Sequence, residues 1–275
     1  MIPFKKMNGL GNDFVVIDAR VQPFMLTTAQ IIAIADRKRG VGFDQMLVMK
    51  PSDKADFFMT VINADGTTDT VCGNGTRCVA RLFMDETGRK DAAIETIAGV
   101  VYAEDRGDLV RVNMGQPRTA WQDMPIAEPR DVLNVSFPEF AELPPAVVTS
   151  MGIPHTVFFV PNADTVAVDY FGPKLETHPL FPQRTNVEFC HLIGENKIRM
   201  RVWERGAGIT QACGSGACCV LVAAVQRGLV QDHAKIVMDG GSLHIEWRKS
   251  DNCVYMTGPT QLSFSGVLES GLLDV

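Results

Sequence analysis

The sequence feature that most constrains this chain is a short cysteine motif that occurs twice. Residues 72–78 read CGNGTRC and residues 213–219 read CGSGACC, so both fit the pattern C-G-x-G-x-x-C. A spacing of 141 positions separates Cys72 from Cys213. Because internal repeats are strong signs of architecture, a spacing held over much of the chain indicates a duplicated unit. The same spacing pairs Gly11 with Gly152, Gln45 with Asn186, Met59 with Met200 and Asn63 with Glu204.

A chain of 275 residues is long enough for two domains of ordinary size, each with its own hydrophobic core. Residues 117–146 contain six prolines and have no counterpart in the repeat, so we place the crossing between the halves there. Each half mixes long strands with one strong helix after the cysteine motif. The sequence therefore predicts an α/β (α+β) protein of two pseudo-symmetric domains.

The hydrophobic pattern predicts corresponding elements in the two halves. In the first half we expect a loop over residues 5–13, strands over 14–18, 46–49 and 57–62, helices from Thr27 or Thr28 to about Arg39 and from Gly75 to Gly88, and a strand meander over 92–116. In the second half we expect a loop and strand over 147–160, a helix over 166–176 broken near Gly172 and Pro173, a strand over 197–203, a helix over 217–225 and a meander over 236–256.

Charge and hydropathy limit the cellular compartments and the binding partners that the sequence allows. The net charge is −6 with a pI near 5.4, and no basic block occurs, which argues against nucleic acid and anionic membranes as partners. The longest apolar run, residues 217–225, is too short to span a bilayer, and the N-terminus lacks an apolar signal core. Seven cysteines in a large chain favour free thiols. We therefore expect a cytoplasmic protein.

Each cysteine motif places a thiol and several backbone N–H groups at the start of a helix. Such an end carries partial positive charge and unpaired donors, so it can bind a carboxylate. The same charge is expected to lower the pKa of the thiol. If one motif from each half faced a shared cleft, one cysteine as thiolate could remove an α-proton, and the other as thiol could return a proton to the opposite face. This inversion needs no metal and no cofactor.

Cysteines can also pack in a core, bind a metal or form a disulfide. Cysteine often serves as a small buried apolar residue, which is our expectation for Cys78, Cys190, Cys218, Cys219 and Cys253. The C-x₅-C spacing fits no common zinc pattern, so no metal site is predicted. A redox disulfide between Cys72 and Cys213 stays open as an alternative, although C-x-x-C motifs are absent.

Several motifs together resemble the diaminopimelate epimerases, a family of amino-acid epimerases that do not use pyridoxal phosphate. The likeness covers nearly the whole chain. The resemblance implies two domains, each a barrel-like β-sheet around a central helix, with the active site in the cleft between them. It implies domains of 1–117 plus 260–275 and of 118–259. The motifs are MNGLGNDF at 7–14, GFDQ at 42–45, NADG at 63–66, CGNG at 72–75, ERGAG at 204–208 and ACGSGA at 212–217.

The resemblance also implies an activity, the interconversion of LL- and meso-2,6-diaminopimelate in lysine and cell-wall precursor synthesis, without a cofactor. Cys72 and Cys213 match the catalytic pair. The backbone cradle of the reacting carboxylate matches Gly73, Asn74, Gly214 and Ser215. The polar wall that holds the rest of the substrate matches Asn12, Gln45, Asn63, Asn186, Glu204 and Arg205, with Arg205 pairing with the distal carboxylate. The expected partners are a small amino-acid substrate and, in a possible homodimer, a second copy of the chain.

Two positions depart from the family pattern. Ile153 stands where the family has an asparagine that contacts the distal end of the substrate, and its partner in the internal repeat is Asn12. Ile209 replaces a usual glutamate, and His155 is expected to have a supporting role. Three alternatives follow: a cofactor-independent racemase of another, more apolar amino acid, a non-catalytic amino-acid-binding protein, and a thiol oxidoreductase.

Overall fold

The computed structural model describes residues 1–70 and 72–274, and these residues form two compact units. Unit 1 comprises residues 1–112 together with the C-terminal segment that begins at Gly258, and unit 2 comprises Asn113–Thr257. The domain boundaries predicted from the sequence, at 117 and 260, lie a few residues further along the chain than these divisions.

Strands dominate both units. From the N-terminus the elements are β1 (Ile2–Gly9), β2 (Asn12–Asp18), α1 (Thr28–Ala35), β3 (Gln45–Lys50), β4 (Phe57–Asn63), β5 (Thr68–Asp69), α2 (Gly73–Thr87), β6 (Asp91–Thr96), β7 (Gly99–Arg106) and β8 (Leu109–Asn113). Unit 2 continues with β9 (Val147–Ser150), β10 (Pro154–Phe159), α3 (Val168–Glu176), β11 (Asn186–Gly194), β12 (Lys197–Glu204), β13 (Gly208–Ile209), α4 (Gly214–Gln226), β14 (His233–Met238), β15 (Gly241–Arg248) and β16 (Cys253–Pro259). The chain ends with β17 (Gln261–Leu268) and α5 (Ser270–Leu273) in unit 1.

In unit 1 the strands surround α2. β2 pairs in parallel with β3, β3 pairs antiparallel with β4, and β1 pairs with both β2 and β17. α2 packs against β1, β6 and β7, and its residues from Asn74 to Ala80 are buried. The strands on several sides of α2 therefore bury most of this helix.

Unit 2 repeats this arrangement around α4. Its apolar sequence from Ala217 to Ala224 is fully buried, and the helix packs against β9, β10, β14 and β15. The strand register shows the duplication directly. Phe14 pairs with Gln45 across β2 and β3, and His155 pairs with Asn186 across β10 and β11, at equivalent positions of the repeat. The mixed α/β fold with two duplicated units is therefore confirmed.

Three elements differ from the sequence prediction. Residues 5–9 were expected in a loop, but they belong to β1, where two partner strands compensate for the weak strand propensity of a lysine and a glycine. α1 ends at Ala35 because the Asp36 carboxylate accepts hydrogen bonds from the amides of Lys38 and Arg39, which closes a turn. α3 continues through Gly172 and Pro173. Gly172 is required there, since a Cβ would lie 2.4 Å from Trp203 Cγ.

Candidate active site

Cys72 and Cys213 occupy the same local geometry. Each is the residue before the first helical turn, with φ −132° and ψ 109° for Cys72 and φ −121° and ψ 114° for Cys213. The Cys72 Sγ accepts a hydrogen bond from the Gly75 amide at 3.4 Å, and the Cys213 Sγ accepts one from the Gly216 amide at 3.3 Å. Both thiols therefore cap a helix, as the duplicated motif predicts.

The second glycine of each motif lies close to side chains of a strand in its own unit. A Cβ on Gly75 would lie 2.9 Å from Leu47 Cδ2, and a Cβ on Gly216 would lie 2.8 Å from Met200 Cε. These close approaches let each helix start directly above a strand of its own unit. The amides of the first helical turn lack partners within the helix, so they are available to an anionic group. Those amides include Gly73 and Asn74 in α2, and Gly214 and Ser215 in α4.

Unit 1 brings several of the predicted substrate-binding residues together. Asn12 Oδ1 lies 3.8 Å from Cys72 Sγ and 3.5 Å from Asn74 Nδ2. Gln45 Nε2 donates to Asn63 Oδ1 at 3.0 Å, across the pairing of β3 and β4. These contacts place Asn12 beside the thiol, with Asn74 bonded to Asn12, and form a second polar pair at the ends of neighbouring strands.

Unit 2 gathers its predicted residues in the corresponding places. The backbone amide of Arg205 donates to Asn186 Oδ1 at 2.7 Å, and the Arg205 guanidinium donates to the Gln183 carbonyl at 3.0 Å. Cys213 Sγ lies 3.5 Å from Ser215 Oγ. Glu204 is hydrogen-bonded to Thr210, and it also bonds to Cys213.

The electrostatics of Cys213 correct one sequence expectation. The pKa of this thiol is not lowered. Burial raises it well above its usual value, and the nearby carboxylates of Glu204 and Glu188 raise it further. Hydrogen bonds from Ser215 and from the Gly216 amide act in the opposite direction but do not outweigh burial. Cys213 is therefore a thiol at neutral pH, and it can donate a proton. Burial also raises the pKa of Glu204.

The remaining cysteines mostly lie in the cores. Cys78, Cys190, Cys218 and Cys219 are buried, and burial raises the pKa of Cys78 to about 12. Burial also raises the pKa of Cys190 and Cys219 well above its usual value, so Cys78, Cys190 and Cys219 do not ionise in the neutral range and serve in packing. Cys253 was expected in the core as well, but it is half-buried, because it lies beside the turn that precedes β16, where its Sγ bonds to the Asp251 carbonyl at 3.5 Å.

A buried pair near Cys213 joins His155, for which a supporting role was expected, to Glu188, which the sequence analysis did not identify. His155 Nδ1 lies 2.6 Å from Glu188 Oε1, and both side chains are inaccessible to solvent. His155 Nε2 also lies 3.4 Å from Asn186 Nδ2. The available signal was a glutamate between two buried apolar residues, Val187 and Phe189, in a single strand. A charged residue at such a position needs partners, which indicates a functional or structural network.

Within residues 1–70 and 72–274, no group of three or more His, Cys, Asp or Glu side chains could hold a metal ion. The helices of this described part of the chain include none that is long and apolar enough to cross a membrane.

Solved structures define the class of fold. A phenazine biosynthesis PhzF-family protein from Enterococcus faecalis superposes with a TM-score of 0.71 at 14% identity, covering 98% of this chain and 99% of that one. A probable proline racemase from Agrobacterium radiobacter K84 superposes with a TM-score of 0.68 at 15% identity, covering 98% of this chain and 93% of that one. At such low identity these likenesses establish the shared fold.

Comparison with known sequences identifies the family of this chain. A model of the diaminopimelate epimerase family matches residues 4–120 and 147–263. The diaminopimelate epimerase of Phenylobacterium zucineum is 51% identical over 271 residues, covering 97% of both chains. That of Acidiphilium cryptum is 48% identical over 272 residues, covering 98% of both. The chain belongs to the diaminopimelate epimerase family.

Proposed function

We propose that this protein interconverts LL- and meso-2,6-diaminopimelate by moving the α-proton without pyridoxal phosphate or a metal, in lysine and cell-wall precursor synthesis. Relatives named diaminopimelate epimerase match nearly the whole chain at about half identity. The observation that carries the proposal is the pair of cysteines with one backbone geometry, each capping a helix in one copy of a duplicated unit. Inversion at carbon needs two such groups, one for each face.

The proposed reaction uses the two thiols in different protonation states. Cys72 as thiolate takes the α-proton, and the electron pair of the broken C–H bond moves into the carboxylate as an enolate. Cys213 as thiol then gives its proton to the opposite face, so that the reaction ends with a Cys72 thiol and a Cys213 thiolate. The raised pKa of Cys213 supports its role as the donor in this direction. The reverse direction exchanges the roles.

The helix ends stabilise the charge that develops on the substrate. We assign the reacting carboxylate to the amides of Gly73 and Asn74 in α2, and of Gly214 and Ser215 in α4. Preorganised N–H groups stabilise an enolate oxygen more strongly than water does, because they need no reorientation as charge develops.

The rest of the substrate is assigned to the polar residues near each cysteine. Arg205 can exchange its bond to the Gln183 carbonyl for two bonds to the distal carboxylate. Supporting contacts come from the other predicted residues: Asn12, Gln45, Asn63, Asn186 and Glu204.

The test is α-proton exchange in D₂O, followed by proton NMR, over a panel of amino acids that includes LL- and meso-diaminopimelate. We expect deuterium to enter diaminopimelate with inversion. A wild-type protein that leaves diaminopimelate unchanged would contradict the proposal. Ile153, which is half-buried in the turn before β10, favours one second candidate, a racemase of a more apolar amino acid. In that case another member of the panel would exchange faster.

We also infer a cytoplasmic homodimer. Seven free cysteines suit a reducing compartment. β17 supports self-association, because Leu262, Phe264 and Val267 are 50%, 51% and 47% exposed and lie on both faces of one strand. Exposed apolar strands of this kind mark interaction surfaces.

A further inference from the structure

Asp44 ties the loop before β3 to the turn between β1 and β2. Its backbone amide donates to the Asp13 carbonyl oxygen at 2.9 Å and to Asp13 Oδ1 at 3.1 Å. The Asp13 amide donates back to Asp44 Oδ2 at 3.0 Å. These reciprocal bonds fix the position of the Asp44 carboxylate.

Two cations hold this pair of loops together. Arg37 Nη2 bonds to Asp13 Oδ1 at 2.7 Å and to Asp44 Oδ1 at 2.6 Å, and the buried Lys6 ammonium pairs with Asp13. Burial acts to raise the pKa of Asp13, but the bonds from Arg37 and Lys6 outweigh it and hold that pKa at about 2. The cluster is therefore a set of ion pairs at neutral pH.

The second oxygen of Asp44 reaches one of the predicted substrate-binding residues. Asp44 Oδ2 accepts a hydrogen bond from Asn12 Nδ2 at 3.0 Å. An ionised carboxylate only accepts hydrogen bonds, and an amide donates only through its nitrogen. The contact therefore decides which way the Asn12 amide points. Its oxygen is turned toward Cys72 Sγ, at 3.8 Å, and toward Asn74 Nδ2, at 3.5 Å.

We propose that Asp44 is a positioning residue for the Cys72 thiol and acts through the side-chain amide of Asn12. The inference rests on the proposed function, in which Cys72 transfers the α-proton. With the amide held in this way, its oxygen accepts a hydrogen bond from the S–H group. An amide turned over would present N–H to the sulfur and would favour the thiolate instead.

Asp44→Asn tests this assignment. When the new amide keeps its oxygen toward Arg37, its nitrogen takes the place of Oδ2 and loses the bond from the Asp13 amide. That nitrogen then faces Asn12, and the Asn12 amide turns over to accept from it. The measurement is alkylation by iodoacetamide as a function of pH, quantified by mass spectrometry on the peptide that carries Cys72, because iodoacetamide reacts with the thiolate. We expect the midpoint to move down by roughly one pH unit, and kcat/KM on diaminopimelate to fall about tenfold.

Arg37→Gln is the matched control. It removes the ion pair between Arg37 and Asp44, which Asp44→Asn also removes, but it keeps the bond between Asp44 and Asn12. Its alkylation profile should therefore match that of the wild type. Asn12→Ala removes the acceptor that faces the sulfur, so the midpoint should also move down, and adding Asp44→Asn to it should then change nothing further. If Asp44→Asn does not fold, Asn12→Ala can still refute the assignment, because an unchanged midpoint would show that Asn12 does not act on the sulfur.

Three results would overturn the assignment: an unchanged profile in Asp44→Asn or in Asn12→Ala, an equal shift in Arg37→Gln, or a further shift from Asp44→Asn in the Asn12→Ala background. Alkylation needs no substrate. A wild type that fails to epimerise diaminopimelate would therefore refute the proposed function while the alkylation series still decides the role of Asp44.

Discussion

The two cysteines share a backbone geometry, but the groups around their sulfur atoms differ. Cys213 is only 4% exposed and lies near two carboxylates, whereas Cys72 is half-buried beside Asn12. The carboxylates favour the protonated form of Cys213. An enzyme that works in both directions needs one proton on the pair of thiols when the substrate reacts, and this difference in environment determines how readily each sulfur gives up its proton.

We therefore expect Cys72→Ala and Cys213→Ala each to abolish epimerisation while the fold is kept, because each direction of the reaction needs both groups. A proton-transfer group contributes roughly 10²–10⁴ in rate. Circular dichroism and steady-state kinetics provide the measurement. The control is Cys78→Ala, a truncation in the core that should cost of order 1 kcal/mol of stability and leave kcat nearly unchanged. Near-normal turnover by Cys213→Ala would exclude the two-base reaction.

Ile153 bears on substrate identity. An apolar side chain cannot hydrogen-bond the distal end of diaminopimelate, and a bond to a charged group contributes roughly 1.5–3 kcal/mol. We expect Ile153→Asn to lower KM for diaminopimelate about tenfold, with a smaller change in kcat because the thiols are untouched. If Ile153 is instead fitted to an apolar substrate, the variant should lose activity on that substrate and gain none on diaminopimelate. Measuring kcat/KM of both proteins on both substrates distinguishes the cases.

At the residue scale, the sequence predicted those features that a short local motif determines. The helix-capping position of Cys72 and Cys213 follows from glycines a few positions away. By contrast, Glu188 and His155 lie 33 positions apart and meet only because β10 and β11 are parallel neighbours. The predicted fall in the pKa of Cys213 was wrong for the same reason, since the burial that raises it most and the carboxylates that raise it further both depend on other strands.

At the element scale, one glycine determines how α3 packs on β12. A Cβ at position 172 would lie within 2.6 Å of three atoms of the Trp203 side chain, including Cγ and Cβ. Gly172→Ala should therefore destabilise the protein by about 1–3 kcal/mol, as overpacking of a core does. The control is Gly271→Ala in α5, where no atom lies within 4 Å of the added Cβ. Urea unfolding of both variants gives the comparison; equal midpoints would show that Trp203 moves aside without cost.

The central helix of each unit was easier to predict than the other elements. The core of α2 and of α4 was identified from apolar spacing, and the glycine at 88 ends α2 with φ 70°, as its position suggested. β1 was missed because its burial depends on pairing with β17, which lies more than 250 positions away. Gly172 and Pro173 led to the prediction of a break in α3. This prediction was wrong because the packing of Gly172 against Trp203 cannot be read from the local sequence.

At the scale of the whole molecule, duplication gives each unit one helix-capping cysteine and one set of polar residues. The family model matches two stretches, residues 4–120 and 147–263, which leaves the proline-rich crossing largely outside them. Because neither copy holds both thiols, neither unit alone contains the groups that the proposed reaction requires.

Association between two copies of the chain is also a property of the whole molecule. If β17 forms the interface of a homodimer, a charge placed among its apolar side chains should weaken that interface, since a buried unpaired charge is costly. Leu262→Asp is the direct test, and Tyr102→Asp is its control, because Tyr102 is 58% exposed on β7, outside the proposed surface. Sedimentation equilibrium over a range of protein concentrations should show a dimer for the wild type and Tyr102→Asp, and mainly monomer for Leu262→Asp. A monomeric wild type, or a Leu262→Asp variant that stays dimeric, would contradict the assignment of β17.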